Sequence, residues 1–555
     1  MNLHLLDISL WFLPYAQVTG LGILLLKLLR FELRHPHEWL LAFWAGFAGL
    51  IACLQVTHFF LPVDRSVVLP LLALSVLGFA AGGRDLLKLL AKLGAKDVLF
   101  MAAAAGAVHI WIISQKAVVP VRYDTGLYHV QELDWLMRYP TVTGLGNFFT
   151  NLAFPQAYFF FAAFLEQAYA WMGGFYIASY VLAAAVLFEG VRGVRAIVIK
   201  ADLRAQNFFR AFLFLPFIFY ACYDSRIVTA SPDAAVFLLE LAMTALLFQV
   251  LEGPQEHTPA FFVFVITSFV GTVLKPSYAV FGVAGLALAA AWNKGRLPWL
   301  WFFFAGTAIL APFFIRNILL SGYLYFPSSF ASLPVDWKVP AFIQDGNLAC
   351  TLGYAKAGDC QARALGDMGW LGFWLKDGIR GRSGFFSVPL GLILFGCLCG
   401  GKRVFSLPVL RGLLPALLTS AAIFFTAPDC RFFGSSVWVL GLVAAAAAVA
   451  GAGALWRSRP VKGLVILLAG AFVLMSARGA WSAVALKHFI PLDRGHYKVL
   501  RLSATVSVLQ LQGDDRCWAT SLPCTPHRIG GLKLRDPGRI AAGFTRRDDK
   551  EDMTP

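Results

Sequence analysis

The chain has 555 residues, a formal net charge of +16 and 59% hydrophobic residues, whereas only 14% of its residues are charged. Its mean hydropathy is +0.69, and apolar runs of about 16–22 residues recur from end to end, which is typical of a polytopic helical membrane protein. The cations are dispersed over many short loops, which excludes the continuous basic stripe of a nucleic-acid-binding protein. We therefore expect no nucleic-acid partner.

The apolar runs predict an all-α fold, a transmembrane helical bundle of about 14 spans. In chain order the predicted spans cover residues 8–27, 39–60, 66–83, 97–115, 174–191, 207–222, 233–251, 259–274, 277–292, 298–315, 385–400, 406–426, 434–455 and 461–482. We divide the chain into N-terminal transmembrane helices (1–96), a central transmembrane module (97–482) and an external C-terminal tail (483–555). Within the central module, the external loops 116–173 and 316–384 are expected to carry interfacial helices.

Alternate connections between the predicted spans are rich in Lys and Arg, as the positive-inside rule expects of cytoplasmic loops. These connections contain Arg30 and Arg34, Arg84 to Lys96, Arg192 to Arg210, Lys294 and Arg296, Lys402 and Arg403, and Arg457 to Lys462. The unusual polar motifs all fall on the opposite side. We therefore expect a multi-pass protein of the bacterial inner membrane whose active face is periplasmic.

The first external loop contains the sequence RYDTGLYH, which places titratable groups close to the membrane. Asp124 has two interpretations, since it either caps the helix that follows or acts as a catalytic base. His129 lies five positions further on, about one and a half turns of an α-helix. It would either hydrogen-bond a substrate or act as a second base. We expect the substrate to be contacted as well by Arg122, Tyr123 and Tyr128.

A second external motif, Ser231-Pro232-Asp233, comes at the start of a predicted span. Asp233 belongs either to a plain helix start or to the site, as a second acid facing it. Lys275 precedes Pro276 in an external turn. Its ammonium group either snorkels to the interface or binds a lipid phosphate.

Two later motifs carry arginines on the same side. Arg316 closes the tenth predicted span, where it either belongs to an interfacial belt or recognises phosphate through its guanidinium fork. Asp429 and Arg431 are two positions apart in the turn APDCRFF. They either pair only with each other, or Asp429 orients Arg431 toward a phosphate group.

Four cysteines lie in the predicted external segments. Cys350 and Cys360 flank a short hydrophilic stretch, and Cys517 and Cys524 flank the sequence WATSLP. In an oxidising periplasm each pair is expected to close as a disulfide. Free thiols are the alternative, because sequence alone does not determine connectivity. Neither pair has the spacing of a zinc site, so no metal ligand is predicted.

The layout of an Asp-bearing external loop, an interfacial segment beginning FPQAYFFF and an SPD turn before a span resembles the GT-C superfamily of glycosyltransferases. That superfamily uses polyprenyl-phosphate-linked sugars and includes the protein mannosyltransferases and the lipid A aminoarabinose transferases. The motifs RYDTGLYH, RNILLSGYLYFP, VDWKVP, APDCRFF and CWATSLPCTP more closely resemble an uncharacterised family of bacterial polytopic membrane proteins, over most of residues 100–530. The resemblance implies a GT-C-like bundle for residues 97–482.

The resemblance also implies a membrane glycosyltransferase that moves a sugar, with inversion, from polyprenyl phosphate to an envelope glycan, lipid or protein. Asp124 would deprotonate the acceptor hydroxyl, and Lys275, Arg316 and Arg431 would stabilise the departing phosphate. The sequence has neither a Walker loop nor a GxGxxG loop, which fits a lipid-linked donor. The expected partners are this donor and membrane lipids; no cofactor is predicted, and a divalent metal is left open.

The mannosyltransferases differ from this chain at one position of the site. Their first external Asp is followed directly by an acidic residue, whereas Asp124 is followed by Thr125. The resemblance therefore does not carry over a metal pair built from adjacent acids.

Three alternatives remain on sequence grounds. A polymerase or ligase of lipid-linked glycans would use the same external cations. A transporter of envelope precursors would place ionisable groups near the middle of the bilayer. The interior is expected to hold few such groups, chiefly Glu166 and Glu240, and no internal repeat is apparent. A scaffold protein would leave the one-sided polar cluster unexplained.

Overall fold

The computed structural model is a bundle of α-helices that carries a small β module near its C-terminal end. It describes residues 10–32, 38–115, 123–172, 174–223, 231–253, 258–293, 299–358, 360, 366–378, 383–452, 459–485, 496–513, 515–526 and 530–546. Arg122, one of the predicted substrate contacts, lies outside these ranges.

The described ranges contain twenty α-helices. In order they are α1 Phe12–Leu28, α2 Trp39–Thr57, α3 Arg65–Ala91, α4 Ala95–Gln115, α5 Val130–Arg138, α6 Leu145–Phe148, α7 Tyr158–Tyr169, α8 Gly174–Val198, α9 Ala205–Phe212, α10 Phe214–Tyr223, α11 Pro232–Glu252, α12 Pro259–Leu274, α13 Ala279–Trp292, α14 Trp299–Ser321, α15 Ala341–Ala357, α16 Gly366–Phe373, α17 Ser383–Gly400, α18 Leu407–Thr426, α19 Ser436–Gly451 and α20 Arg459–Ala485. A π-helical turn, Thr125–His129, leads directly into α5.

Every predicted span overlaps one of these helices or a consecutive pair of them, while residues 8, 9, 298 and 453–455 of the predicted spans lie outside the described ranges. Among the described residues, seven segments are long and apolar enough to cross a bilayer: Trp39–Thr57, Arg65–Asp85, Ala95–Gln115, Pro232–Glu252, Phe302–Ser321, Phe385–Arg403 and Leu407–Thr426. Five shorter apolar segments accompany them, among them α1, α12 and α19. The chain is therefore a helical bundle with several helices suited to a membrane, and the total of about 14 crossings stays a prediction.

The outer helices expose apolar side chains where a water-soluble protein would expose polar ones. Leu99 on α4 is 72% exposed and Leu398 on α17 is 75% exposed. The central helix α11 is instead buried on nearly all sides. An apolar exterior around an apolar interior is the distribution that a lipid environment favours, because lipid tails and buried side chains are equally apolar.

The first two helices pack through glycines. A Cβ atom added at Gly22 would lie 1.6 Å from the carbonyl oxygen of Ala42, and one added at Gly46 would lie 1.8 Å from that of Val18. The two backbones can approach this closely only because these positions lack a side chain. The N-terminal helices are also tied to later elements, since the backbone N–H of Val63 donates to the carbonyl of Leu136 at 2.8 Å.

Polar contacts between helix ends fall into two groups that lie at opposite ends of the helices. At one end, Lys27 pairs with Asp85, and Arg195 pairs with Asp97. This end carries most of the basic connections that the sequence assigns to the cytoplasm. The other end carries the two long loops and the polar motifs described below.

The prediction of an all-α fold is wrong for the C-terminal part of the chain. Residues assigned to a tail form strands β1 His496–Arg501, β2 Ser507–Gln512, β3 Cys524–Thr525, β4 Leu532–Leu534 and β5 Phe544–Arg546. Strand β2 pairs antiparallel with β1 and parallel with β3, while β4 and β5 form a separate antiparallel pair. The alternation of apolar and basic residues in the sequence HYKVLR is a strand signal, but it is too short to appear in a search for membrane spans.

The β module, residues 496–546, packs against the external loops. The backbone N–H of Phe544 donates to the carbonyl of Thr143 at 2.9 Å, and its ring stacks on Phe148 at a centroid distance of 5.1 Å. Arg535 pairs with Asp336 at 3.1 Å. These contacts attach the module to both long loops, so it is a docked part of the fold.

Both predicted cysteine pairs are bonded in the structure. Cys350 joins Cys360 just beyond the end of α15, and Cys517 joins Cys524 within the β module. The second bridge closes a loop whose cysteines are fully buried. It therefore belongs to the folded part of the module.

The arrangement of the helix ends predicts the outcome of a labelling experiment. Ser329 and Lys200 are both exposed and belong to opposite ends of the bundle, so single cysteines there should lie on opposite sides of the membrane. In a chain whose free native cysteines are replaced by Ala, a membrane-impermeant maleimide added to intact cells should label Ser329→Cys. Lys200→Cys should react only after the membrane is opened; labelling of both in intact cells would contradict the topology.

Candidate functional site

The polar motif around Asp124 is helical from its first described residues. At Asp124 the backbone angles are φ −62° and ψ −27°, and its side chain makes no capping hydrogen bond. The interpretation of Asp124 as an N-cap is therefore wrong, since a capping residue lies outside the helix and accepts from its first N–H groups. The carboxylate instead points to another part of the chain.

The π-helical turn changes the relation between Asp124 and His129. In an α-helix, residues five apart point about 140° away from each other around the axis. A π-helix joins residue i to residue i+5, as Thr125 is joined to Val130 here. Asp124 is close enough to act electrostatically on His129, because its charge raises the pKa of that imidazole against the stronger effect of burial.

An ion pair joins Asp124 to Arg431, which is 307 positions away in sequence. The distance from Oδ2 of Asp124 to Nη1 of Arg431 is 2.8 Å. Asp429 holds the same arginine from the other side: its Oδ1 accepts the backbone N–H of Arg431 at 2.9 Å and lies 3.5 Å from its Nε. About 30% of the Asp124 side chain and 27% of the Arg431 side chain remain exposed, so a substrate can reach this pair.

A second ion pair lies beside the first. Lys275, at the end of α12, pairs with Asp233 in the first turn of α11. Ser231 caps α11 by accepting the backbone N–H of Asp233 at 3.3 Å, and its hydroxyl donates to the Asp233 carboxylate at 3.1 Å. The motif therefore starts α11 and places the Asp233 carboxylate against Lys275, and a role of Asp233 in a functional site stays a prediction.

Phe432 lies next to the cations of both pairs. The ammonium group of Lys275 is 4.5 Å from the ring centroid, and the guanidinium carbon of Arg431 is 5.7 Å from it. Burial lowers the pKa of Lys275 to about 7, and repulsion from Arg431 acts in the same direction. Burial would also lower the pKa of Arg431, but Asp429 and Asp124 outweigh it and raise that pKa.

His129 and Tyr128 line the buried side of the cluster. His129 is 1% exposed, and neither of its ring nitrogens has a hydrogen-bond partner among the described residues. Burial lowers the pKa of His129 to about 4, so the ring is neutral at pH 7 and offers one donor and one acceptor. The hydroxyl of Tyr128 donates to Oε1 of Gln156 at 3.5 Å, and burial followed by the charge of Asp124 raises the pKa of this phenol.

Arg316 does not join this cluster. Its Nη2 lies 2.7 Å from Oε1 of Glu132 on α5, both side chains are buried, and its guanidinium stacks over Phe160 at 5.3 Å. Within the described ranges no hydrogen bond or ion pair links Arg316 to Asp124 or Lys275. The expectation that Arg316 stands with the phosphate-binding cations is corrected accordingly: a buried guanidinium needs a counterion, and Glu132 supplies it.

Glu240 was singled out only as an ionisable group within a span, and the structure gives it a positioning role. Its Oε2 accepts the backbone N–H of Ser435 at 2.7 Å and the hydroxyls of Ser435 and Ser436 at 3.3 and 3.1 Å. At Gly434, φ is +55° and an added Cβ would lie 2.7 Å from the same carboxylate oxygen. Glu240 thereby anchors the turn that carries Arg431 to α11.

Trp518 of the β module covers the π-helical turn, a contact that the sequence motifs did not reveal. Its backbone N–H donates to the carbonyl of Gly126 at 2.9 Å. A Cβ added at Gly126 would lie 2.5 Å from the indole ring, so the glycine of RYDTGLYH is required for this contact. Tyr123 stays 53% exposed at the rim, where the Arg516 guanidinium lies 5.9 Å from its ring centroid.

The structure therefore brings together most of the predicted site residues. Asp124, Arg431 and Asp429 form one ion-paired group, and Asp233 and Lys275 form the adjacent one. In the described part of the chain, no three His, Cys, Asp or Glu side chains are placed to hold a metal ion.

A family profile described as a domain of unknown function, DUF8201, matches residues 5–438 of the chain. The chain belongs to this family. The match to DUF8201 spans Asp124, Lys275 and Arg431, whereas the β module lies beyond its end. Neither a search of curated proteins nor a search of solved structures found a match.

Proposed function

We propose that the chain is an inverting glycosyltransferase of the bacterial inner membrane. It moves a sugar from a polyprenyl-phosphate donor to an envelope glycan, lipid or protein on the periplasmic face. The observation that carries this proposal is the Asp124–Arg431 ion pair, placed beside Lys275 and Asp233 at the ends of apolar helices. A carboxylate that is about 30% exposed next to two cations combines the groups that such a transfer needs, a base and a phosphate cradle.

Lys275 and Arg431 form the donor side of the proposed site. They share Phe432, so their charges lie within a few ångströms of one aromatic ring. A guanidinium fork and an ammonium group together match the oxygens of a phosphate. Since both side chains are largely buried, their attraction for the departing phosphate is stronger than it would be in water.

Asp124 forms the acceptor side. Without substrate, Arg431 is shared between Asp124 and Asp429. When the donor phosphate takes the place of Asp124 on Arg431, the carboxylate is released to accept the proton of the acceptor hydroxyl. That oxygen attacks the anomeric carbon, the bond to the phosphate oxygen breaks, and polyprenyl phosphate leaves with the bonding electrons.

His129 is assigned a hydrogen bond to the acceptor in this proposal. Its pKa of about 4 makes the imidazole a weak base, whereas the neutral ring, whose two nitrogens have no partner within the described ranges, suits a sugar hydroxyl. Tyr123, half exposed at the rim, is in a position to contact the same acceptor. Asp124 therefore remains the base.

The positive-inside rule supports the assignment of the proposed site to the periplasmic side of the membrane. Basic residues such as Lys27 and Arg195 lie at the end of the bundle opposite to Asp124, and short basic connections stay in the cytoplasm. A periplasmic site fits a lipid-linked donor, which needs no nucleotide.

The glutamates within the apolar segments argue against a transporter. Oε2 of Glu166 accepts the backbone N–H of Phe175 at 2.9 Å in the first turn of α8, and Glu240 accepts that of Ser435 just before α19. Both carboxylates satisfy backbone donors that a helix start leaves without a partner. A third glutamate in these segments, Glu189, is paired with Arg210 at 3.1 Å, and the charges around Asp124 lie at helix ends, where a transfer site would meet a lipid headgroup.

The first functional prediction concerns the base. Asp124→Asn keeps the size of the side chain and a hydrogen bond to Arg431 but accepts no proton, so transfer should fall by about 10²–10⁴-fold. Transfer is measured as the sugar content of envelope glycans, by mass spectrometry, in cells that carry the variant as their only copy. Asp202→Asn is the matched control, because Asp202 also pairs with an arginine, Arg204, at 2.6 Å but lies at the opposite end of the bundle. Unchanged transfer in Asp124→Asn would show that Asp124 is not the catalytic base.

The second functional prediction uses the titration of Lys275. Only its protonated form attracts a phosphodiester, whose own charge is constant, and burial lowers the pKa of Lys275 to about 7. Affinity for a polyprenyl phosphodiester should therefore fall about tenfold or more between about pH 6 and about pH 9, as a charge-assisted hydrogen bond is lost. Lys275→Arg should remove most of this dependence, because arginine stays charged. If the affinity of the unchanged chain does not depend on pH, Lys275 does not bind the phosphate group.

A further inference from the structure

The loop that carries Trp518 is held firmly within the β module. The bridge between Cys517 and Cys524 closes it, and the partner of Cys524 across the sheet is Leu509 on β2. The hydroxyls of Tyr497 on β1 and Thr520 in the loop are hydrogen-bonded. The loop is therefore part of the folded module and not an independent flexible segment.

This loop makes three hydrogen bonds to the segment that carries Asp124. Trp518 donates its backbone N–H to the carbonyl of Gly126. The side-chain amide of Gln131 donates to the carbonyls of Trp518 and Thr520, at 2.8 and 3.1 Å. Together with the indole ring over Gly126, these contacts bracket the π-helical turn from its second residue to the first turn of α5.

A π-helical turn needs such support. Its i to i+5 bonds are rarer and less favourable than α-helical ones, and it occurs mostly where the surrounding structure imposes it. If the turn relaxed to an α-helix, the residues before it would rotate relative to those after it. Asp124 would then turn away from His129, although both need to face one acceptor.

We propose that the β module is a positioning part of the active site, in which Trp518 holds the π-helical turn and so aims Asp124 and His129 at a common acceptor. The catalytic consequence rests on the proposed transferase function, whereas the structural statement does not. The active site accordingly extends beyond residues 5–438, the part that the family profile matches. The disulfide-closed loop is the element through which the module acts.

Thr125 provides a reporter that does not depend on activity. It is 1% exposed within the turn, so Thr125→Cys should react slowly with a maleimide while the turn is held. Trp518→Ala should raise that rate by about tenfold or more, since local opening becomes easier when packing is lost. Trp518→Phe, which keeps a ring over Gly126, should restore much of the protection. Equal rates in the parent and in Trp518→Ala would overturn the inference, whether or not the chain transfers a sugar.

Two controls separate the effect on the turn from general loosening. Trp171→Ala removes an indole that is 46% exposed and has no contact with Gly126, and it should leave the protection of Thr125→Cys unchanged. Tyr123→Cys, at an exposed position, should react rapidly in every background. An increase with Trp171→Ala as large as that with Trp518→Ala would overturn the specific role of Trp518.

Coupling to catalysis is tested with a double-mutant cycle on transfer. If Trp518 acts through Asp124, then Trp518→Ala should lower transfer about tenfold or more in the parent and have almost no further effect in Asp124→Asn. Equal loss in both backgrounds would overturn the positioning role. Failure of Asp124→Asn to change transfer would reject the proposed function instead, and the labelling result would still decide whether Trp518 holds the turn.

Discussion

A charge inside an apolar bundle costs several kcal/mol unless a counterion accompanies it, and this constraint shapes the end of the molecule that carries the polar motifs. Arg431 meets Asp124, Lys275 meets Asp233, and Arg316 meets Glu132. Such pairs add little net stability, because desolvation offsets most of the attraction. Their consequence here is geometric, since each pair joins elements that are far apart in sequence.

The pairs differ in what they leave accessible, and this difference separates site from scaffold. The side chains of Arg316 and Glu132 are 6% and 4% exposed, whereas those of Arg431 and Asp124 are 27% and 30% exposed. A buried pair has no free side from which a ligand could exchange with a partner. The partly exposed pair permits an exchange of anions on the guanidinium, and in the proposed mechanism that exchange couples binding of the donor to release of the base.

Much of the helical framework was predictable, because a membrane span needs a continuous apolar run of nearly fixed length. The predicted span 259–274 coincides with α12, and the alternation of basic connections placed the polar motifs at one end. The grouping of Asp233, Lys275, Asp429 and Arg431 followed from that topology. The pairing of Arg316 with Glu132 did not follow from the topology, since nothing in the sequence indicates which of several nearby carboxylates a long side chain will contact.

Two larger features were not predicted from the sequence: the π-helical backbone after Asp124 and the β module. The sequence RYDTGLYH carries no signal for a π-helix. The π-helical turn depends on packing by a segment that is about 390 positions away in the sequence, as the contact between Gln131 and Trp518 shows. The strands of the module are short, with six residues in β1, and they follow a long stretch in which apolar runs dominate. The motif contains Gly126, but the reason for a glycine at this position is clear only from the structure, in which the Trp518 ring packs against it.

In the proposed mechanism, Asp124 and a donor phosphate compete for Arg431. The most direct measurement is an experimental structure of the full chain with a bound polyprenyl phosphodiester. We expect phosphate oxygens within about 3 Å of the Lys275 ammonium and the Arg431 guanidinium, as charge-assisted hydrogen bonds require, and an Asp124 carboxylate that no longer contacts Arg431. A phosphate bound elsewhere, with the Asp124–Arg431 pair intact, would contradict the account.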